Sequence, residues 1–272
     1  MLPHTPAGPP LLHIQHGRAT ITLNRPAHHN RLHTQDLQVL QQHFSTLAAD
    51  PALRLLVLTG NGPTFCSGFH IGELGAADDG EHGSAHESEH TGTQAGPRLF
   101  AHTVDALEAL PLPTICRLNG SVYGGATDLA LACDFRVGVA GMALRMPAAR
   151  LGLHYYPSGL QRYVTRLGLA AAKQLFLLAE SVPADRLLAL GYLDCLAAPG
   201  QLDTEVQAIS DALAAGAPLA LRGMKASLNE IARGELSLPA LQQRAKLCAA
   251  SADLREGQAA FAAKRKPRFT GC

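Results

Sequence analysis

The sequence has almost no excess charge of either sign. Of its 272 residues, 23 are Lys or Arg and 22 are Asp or Glu, which gives a formal net charge of +1. A chain this close to neutrality generates no overall field that would draw it to nucleic acid or to an anionic membrane surface. We therefore expect neither to be its main partner.

Paired cysteines and long apolar runs are also missing. None of the six cysteines forms a CxxC pair, and most lie in apolar runs, where a free thiol behaves as a small hydrophobic group. No uncharged apolar stretch reaches the roughly 18 residues of a spanning helix. The first ten residues, MLPHTPAGPP, have neither the charged nor the apolar region of a secretory signal. These features predict a reduced, cytoplasmic protein without a membrane span.

The order of hydrophobic patterns predicts an α/β fold. Residues 1–10 are rich in proline and are expected to form a loose tail. Strand and helix patterns alternate over residues 11–202, and residues 203–272 are helical throughout, which predicts a mixed core followed by a helical region. Within the core, residues 75–97 hold Gly, Asp, Glu, Ser and His with almost no aliphatic side chain. We expect this segment to be a mobile loop.

The patterns also place individual elements. A hairpin is predicted over 11–23 and a helix over 32–47. Buried strands are predicted at 53–60, 114–120 and 135–140, and a helix is predicted from Phe100 to Leu110. Further helices are predicted at 158–167, 170–179, 183–190, 203–215, 218–230 and 237–262.

Two glycine-rich segments share one physical logic. Residues 60–69 follow a predicted strand, and residues 119–128 join a strand to a helix that begins at a glycine pair. Small residues let backbone N–H groups approach a ligand, and a helix start adds unpaired donors and the positive end of a dipole. Two such donors aimed at one oxygen form an oxyanion hole, the loss of which costs roughly 3–4 kcal/mol in tested enzymes. The alternative for each segment alone is a tight turn of an α/β core.

Five ordered stretches resemble the crotonase (enoyl-CoA hydratase/isomerase) superfamily over about 250 residues. They are TITLNRP (20–26), LLVLTGNGPTFCSGF (55–69), RLNGSVYGGATDLALACD (117–134), RLGLHYYPSGLQRYVTRLG (150–168) and SADLREGQAAFAAKRKPRFTG (251–271). The resemblance implies a spiral of ββα units and a C-terminal helical trimerisation region. It also implies assembly as a trimer or a dimer of trimers, and an acyl-CoA thioester as substrate. Coenzyme A then belongs to the substrate, and no separate cofactor or metal is expected.

The resemblance also implies which residues bind the substrate. The backbone N–H groups of Phe69 and Gly125 would form the oxyanion hole around the thioester carbonyl. Four residues would contact coenzyme A: Asn30 and Leu32 along the pantetheine entrance, and Phe261 and Lys264 at the adenine and phosphate. Without the resemblance, the basic run at Lys264 would be interpreted as a solvated terminal cluster.

The chain departs from the superfamily where hydration chemistry is carried out. Hydratases of this kind use two glutamates as a general acid and base on one water. Asp128 stands at the first position, one methylene shorter, and Ala148 stands at the second. Because alanine can neither hold nor transfer a proton, we expect the two-carboxylate mechanism to be absent.

The run from His154 to Tyr156 lies next to these positions in the resemblance. A local match to methylmalonyl-CoA decarboxylase includes the G-S-V-aromatic-G-G-A turn, a tyrosine aligned with Tyr155 and a histidine after Phe69. We take Asp128, Tyr155 and Tyr156 as candidate catalytic residues. The alternatives are packing aromatics for the two tyrosines and a first-turn helix carboxylate for Asp128.

Three functions stay open at this stage. The first is an acyl-CoA enzyme of enolate chemistry, namely an atypical isomerase, a decarboxylase or a one-carboxylate hydratase. The second is a non-catalytic acyl-CoA-binding homologue. The third is an RNA-binding protein, which the neutral charge disfavours. His82, His86 and His90 recur at helical spacing, but glycines interrupt the segment, so we expect a loop and no metal site.

Overall fold

A computed structural model describes residues 7–70, 72 and 96–272 of the chain. The strands of this described part are β1 (Leu11–Gln15), β2 (Arg18–Leu23), β3 (Leu55–Gly60), β4 (Thr114–Leu118), β5 (Val122–Tyr123), β6 (Phe135–Val139), β7 (Ala143–Arg145), β8 (Val182–Pro183) and β9 (Cys195–Ala197). The α-helices are α1 (Thr34–Ala49), α2 (Gly96–Glu108), α3 (Ala126–Leu131), α4 (Pro157–Lys173), α5 (Ala184–Ala189), α6 (Leu202–Ala214), α7 (Pro218–Arg233), α8 (Leu238–Ala250) and α9 (Ala252–Ala262). The α/β class is confirmed.

The main sheet has six strands in the order β1-β2-β3-β4-β6-β9. Only β1 runs antiparallel to its neighbour, and the other pairs are parallel. Every residue of β3 is buried, as expected for a central strand of a parallel sheet that is covered on both faces. Parallel strands all point the same way, so β3 and β4 deliver their carboxyl ends, and the turns that follow, to one edge of the sheet.

A second sheet of three short strands, β5-β7-β8, lies beside the main one. An isolated parallel bridge joins Cys66 to Val122 of β5, and another joins Leu32 to Phe69. These bridges attach the chain after β3 both to the second sheet and to the segment before α1. They fix the position of the first glycine-rich turn.

The predicted helices are found, with one difference. Non-helical backbone at Gly168 (φ 80°) divides α4 into the two helices predicted at 158–167 and 170–179, and the second continues as a short π-helix, Gln174–Leu178. The helix predicted at 237–262 is two, because Ser251 is extended and its hydroxyl accepts a hydrogen bond from Leu254 N–H, so it caps α9. The helical segment from 203 onward folds as α6 to α9, whose first residue is Leu202.

The short elements β5, β7, β8 and β9 were not predicted, because two or three residues carry too little periodicity. Most of the predicted tail (1–10) and almost all of the predicted loop (75–97) lie outside the described residues.

Candidate active site

Hydrogen bonds to two other segments of the chain hold the first glycine-rich turn in place. Phe65 N–H donates to Ser121 O at 3.1 Å, and Ser67 N–H donates to His29 O at 2.9 Å. Gly68 has φ +95°, a conformation that L side chains rarely adopt. A Cβ at Gly68 would lie 2.9 Å from Tyr123 O and 3.2 Å from Gly125 N, so only glycine lets the two turns touch.

The second turn begins α3. Gly124 has φ +54° and donates its N–H to Arg145 O at 2.9 Å. Gly125 is the N-cap, and its carbonyl accepts from Asp128 N–H at 3.0 Å. The N–H of Gly125 therefore lies at the open start of a helix, where no preceding turn supplies an acceptor.

The amides of Phe69 and Gly125 are left for a ligand. Within residues 7–70, 72 and 96–272, neither N–H donates a hydrogen bond. The neighbouring amides do: His70 N–H donates to Leu32 O, and Gly124 N–H donates to Arg145 O, each at 2.9 Å. Two adjacent turns with one open donor each can bind a single developing oxyanion.

A cavity of about 270 Å³, which we name the central cavity, opens at these two turns. The described residues that line it are Ser67, Gly68, Phe69, Pro97, Phe100, Gly124, Gly125, Met146, Pro147, Ala148, Leu151, Leu153, His154, Tyr155 and Tyr156. No carboxylate is among them. Ala148 is a lining residue and brings a methyl group to the cavity.

Asp128 is placed behind the cavity wall. Its side chain is completely buried, and it is not among the described lining residues. Oδ2 accepts a hydrogen bond from the Tyr156 hydroxyl and another from Arg162 Nη1 at 2.8 Å. Tyr156 does line the cavity, so Asp128 meets the cavity through Tyr156. Oδ1 of Asp128 and the hydroxyl of Tyr155 are buried and have no hydrogen-bond partner among the described residues.

The pKa values of this cluster follow from burial and charge. Burial raises the pKa of Asp128, although Arg162 and Tyr156 oppose the shift. Burial, followed by the charge of Asp128, raises the pKa of both Tyr155 and Tyr156 well above the usual value. Both tyrosines are therefore neutral hydroxyls at physiological pH.

Arg162 of α4 is a central residue that the sequence analysis missed. Its side chain is 1 % exposed, and besides Asp128 it pairs with Glu108 (Nε–Oε1, 3.0 Å) and Asp105 (Nη2–Oδ1, 2.7 Å). Burial alone would lower the pKa of Arg162, but Asp128 and Glu108 outweigh it and raise that pKa. A single arginine on an amphipathic helix gives no signal of this role, since its partners lie on α2 and α3.

Glycine at position 159 lets this cluster pack. A Cβ there would lie 2.7 Å from Asp128 Oδ2 and 2.5 Å from Tyr155 Cε1. The two tyrosine rings stack at a centroid distance of 4.5 Å, and Phe100 meets Tyr156 edge-on at 6.0 Å. The wall of the cavity is thus a fixed aromatic surface.

Asn30 and Leu32 support the first turn from behind. The Asn30 side chain is buried, and its Nδ2 donates to the carbonyls of Asn61 and Thr64 at 2.8 Å each. Leu32 is also buried and pairs with Phe69. These contacts position the first glycine-rich turn. Contact of either residue with coenzyme A stays a prediction.

Phe261 and Lys264 lie at the end of α9 and are not among the described residues of the central cavity. The Phe261 side chain is 88 % exposed, which is unusual for so large an apolar group. Their predicted contact with coenzyme A stays a prediction.

Two further properties concern the described residues as a set. None of their helices is long and apolar enough to cross a membrane. No group of three or more of their His, Cys, Asp or Glu side chains is arranged to hold a metal ion. The histidines at 82, 86 and 90 lie outside the described residues.

Two turns with open amides meet at one cavity, an arrangement that can hold an oxyanion. The family model for enoyl-CoA hydratase/isomerase matches residues 13–272. The chain therefore belongs to the enoyl-CoA hydratase/isomerase family, the crotonase superfamily, and is an acyl-CoA enzyme of that family.

Individual relatives are similar over nearly their whole length. A crotonyl-CoA hydratase of Syntrophomonas wolfei is 30 % identical over 254 residues, covering 92 % of this chain and 94 % of the relative. The enoyl-CoA isomerase/hydratase fer4 of Mycosarcoma maydis is 32 % identical over 267 residues, with 92 % of each covered. The crystal structure of an enoyl-CoA hydratase/carnitine racemase from Magnetospirillum magneticum superposes with a TM-score of 0.87 at 28 % identity, covering 98 % and 97 % of the two chains. The predicted crotonase fold is confirmed.

Proposed function

We propose that the protein binds an acyl-CoA thioester, holds its carbonyl oxygen between the N–H groups of Phe69 and Gly125, and performs enolate chemistry without a carboxylate pair. The observation that carries this proposal is the pair of open amides at a cavity whose described lining contains no carboxylate. Enolate stabilisation needs donors aimed at the oxygen, whereas hydration also needs a general acid and base beside the water.

Among enolate reactions, the cavity favours decarboxylation of a 2-carboxyacyl thioester. The bond between the α-carbon and the carboxylate carbon breaks, its electron pair moves into the enolate, and carbon dioxide leaves. A proton then binds the α-carbon and restores the carbonyl. Buried apolar side chains such as Phe69, Phe100 and Met146 remove water from the carboxylate, while amides stabilise the charge that develops on the carbonyl oxygen.

The three candidate catalytic residues take different parts in this proposal. Tyr155 and Tyr156 contact the acyl part of the substrate, because they line the cavity. Asp128 acts through Tyr156 as a positioning residue, because its Oδ2 is engaged by Tyr156 and Arg162. A one-carboxylate hydratase would require Asp128, which does not line the cavity, to exchange a proton with the substrate.

The alternative is a non-catalytic acyl-CoA-binding protein. The contacts of Asp128 with Tyr156 and Arg162 are compatible with this alternative, because a buried carboxylate in an ion cluster can be retained for a structural role without any catalytic one. It predicts that the thioester binds and is released unchanged.

Substrate turnover separates these functions. Malonyl-CoA and methylmalonyl-CoA would be assayed for carbon dioxide release, crotonyl-CoA for hydration, and 3-hexenoyl-CoA for isomerisation, each with binding measured by calorimetry. The proposal expects carbon dioxide release and little hydration of crotonyl-CoA. Rapid hydration would contradict it, and binding without any turnover would establish the non-catalytic alternative.

Association of chains is a second part of the proposal. The helices after residue 203 carry exposed large apolar side chains: Met224, Leu228, Ile231, Leu238, Leu247 and Phe261. Such a surface on one region supports burial against other copies, as a trimer or a dimer of trimers. Phe261 and Lys264 would then reach coenzyme A across the interface. Sedimentation velocity would give the assembly, and Phe261→Ala should weaken coenzyme A binding.

The proposal needs no cofactor beyond the coenzyme A of the substrate. A cytoplasmic location belongs to the same proposal, and it is supported by the six free cysteines, three of them buried.

A further inference from the structure

The proposed decarboxylation needs a group that delivers a proton to the α-carbon. The tyrosines of the cavity wall are poor candidates for this role. Burial and the nearby Asp128 raise the pKa of Tyr155 and Tyr156 well above the usual value, and the Tyr156 hydroxyl already donates to Asp128. A group that exchanges protons near neutral pH has to be found elsewhere in the central cavity.

His154 is the imidazole among the described residues of that cavity. Its Nδ1 lies 2.9 Å from the carbonyl oxygen of Tyr155. A carbonyl only accepts hydrogen bonds, so Nδ1 carries the hydrogen. In the neutral ring the lone pair is therefore on Nε2, and a backbone contact of this kind is the usual way in which a protein selects one tautomer.

The described lining around His154 is uncharged. The described lining brought by other elements holds no charged side chain: the first turn contributes Ser67, α2 contributes Phe100, and the segment after β7 contributes Met146, Pro147 and Ala148. The titratable neighbours in the cavity are Tyr155 and Tyr156, both neutral. His154 is itself exposed, so Nε2 can exchange protons with solvent between turnovers.

We propose that His154 is the acid/base residue of this cavity and that its Nε2 exchanges the proton at the α-carbon of the bound thioester. The inference rests on the proposed function, because the oxyanion turns must hold the enolate while the proton moves. As a base, neutral His154 takes the α-proton, the C–H electron pair moves into the enolate, and the carbonyl oxygen gains charge at Phe69 and Gly125. As an acid, the imidazolium returns a proton to the α-carbon.

These two directions predict opposite pH profiles. Exchange of the α-hydrogens of butyryl-CoA requires the neutral imidazole as base, so its rate should rise as the pH is raised. Protonation of the enolate after carbon dioxide has left requires the imidazolium, so this step should slow as the pH is raised. If His154 is both the base and the acid, the two steps should therefore depend on pH in opposite ways.

The test follows deuterium incorporation into butyryl-CoA in D₂O by mass spectrometry. His154→Asn keeps an amide donor for the Tyr155 carbonyl and removes Nε2, and His154→Gln places a non-titrating amide near it. Both should slow exchange at least about 100-fold, the lower end of general acid–base contributions, while Kd for butyryl-CoA stays within about threefold. His13→Gln, which changes an exposed imidazole on β1, is the matched control and should exchange like the unmodified protein.

Several results would overturn the inference. Exchange at the original rate in both His154 variants would remove His154 from the chemistry and leave the oxyanion hole and the proposed function intact. A rate that does not change with pH, or no exchange of bound butyryl-CoA by the unmodified protein, would also refute the role of His154. If the unmodified protein shows no exchange, the assay of carbon dioxide release still tests the proposed function independently.

Discussion

The hydroxyl group of Tyr156 donates a hydrogen bond to Oδ2 of Asp128, and this bond joins the wall of the central cavity to a buried ion cluster. The same oxygen accepts from Arg162 Nη1 at 2.8 Å, and Arg162 continues to Glu108 and Asp105.

The first prediction concerns the stability that Asp128 provides. Asp128→Ala removes the oxygen that accepts from Tyr156 and Arg162 and leaves both buried donors without it. It should lower the free energy of unfolding by about 3 kcal/mol, although Glu108 and Asp105 still pair with Arg162. Urea denaturation measures it.

Asp105→Ala is the matched control, since Asp105 pairs with the same arginine but its side chain is 43 % exposed. Its cost should be below about 1 kcal/mol. Equal losses in the two variants would contradict a special position for Asp128.

The second prediction concerns acid denaturation. Burial by itself would raise the pKa of Glu108, but Arg162, Arg166 and Arg233 outweigh it and lower that pKa below 4.5. A carboxyl group with a lowered folded-state pKa contributes stability above its unfolded value, and this contribution is lost as pH falls through the folded value.

Glu108→Gln should therefore be less stable at pH 7 and should lose less stability than the unmodified protein as the pH is lowered below 4.5. The raised pKa of Asp128 has the opposite sign: its contribution is present below the unfolded value and is lost as pH rises through the folded value. Urea denaturation midpoints measured between pH 7 and the acid range would give the slope of stability against pH for the unmodified protein and for Glu108→Gln. Identical slopes for the two proteins would refute the assignment to Glu108.

The third prediction concerns the space at the second turn. Gly125 has φ −56°, so alanine fits its backbone, but the added Cβ would lie 2.7 Å from Phe100 Cζ. Gly125→Ala should therefore displace the N–H that faces the ligand and reduce turnover or thioester affinity about tenfold or more, consistent with overpacking costs of about 1–3 kcal/mol.

Phe100→Leu removes the clashing ring edge, so the double variant should recover most of the loss, while Phe100→Leu alone has a small effect. A double variant that is no better than Gly125→Ala would show that the contact with Phe100 is not the cause.

The fourth prediction concerns the missing carboxylate. Ala148→Glu places an ionisable group in the lining of the central cavity and should raise crotonyl-CoA hydration at least about tenfold over the unmodified protein, since positioned acid–base groups contribute about 10²–10⁴. Ala148→Gln has nearly the same shape and cannot transfer a proton, so it should stay at the starting rate. Equal gains in both variants would attribute the effect to shape.

The sequence predicted the layout of the fold because the decisive signals are local. Hydrophobic patterns within single segments indicate β3, the hairpin and the long helices. The glycines of both turns indicate tight backbone geometry at those positions. The sequence could not predict that Asp128 lies behind Tyr156, because this depends on how α3 and α4 pack. The role of Arg162 is tertiary in the same sense, because its partners lie on α2 and α3. The tautomer of His154 depends instead on the local backbone conformation that brings Nδ1 to the carbonyl of Tyr155.

The most direct test of the account is the carbonyl stretching frequency of a bound thioester. Butyryl-CoA labelled with ¹³C at the carbonyl would be compared free and bound by isotope-edited infrared difference spectroscopy. Two amides that polarise the carbonyl should shift the band of the bound thioester to lower frequency, and Gly125→Ala should reverse much of that shift. A bound thioester whose band stays at the frequency of free butyryl-CoA would contradict an oxyanion hole at Phe69 and Gly125.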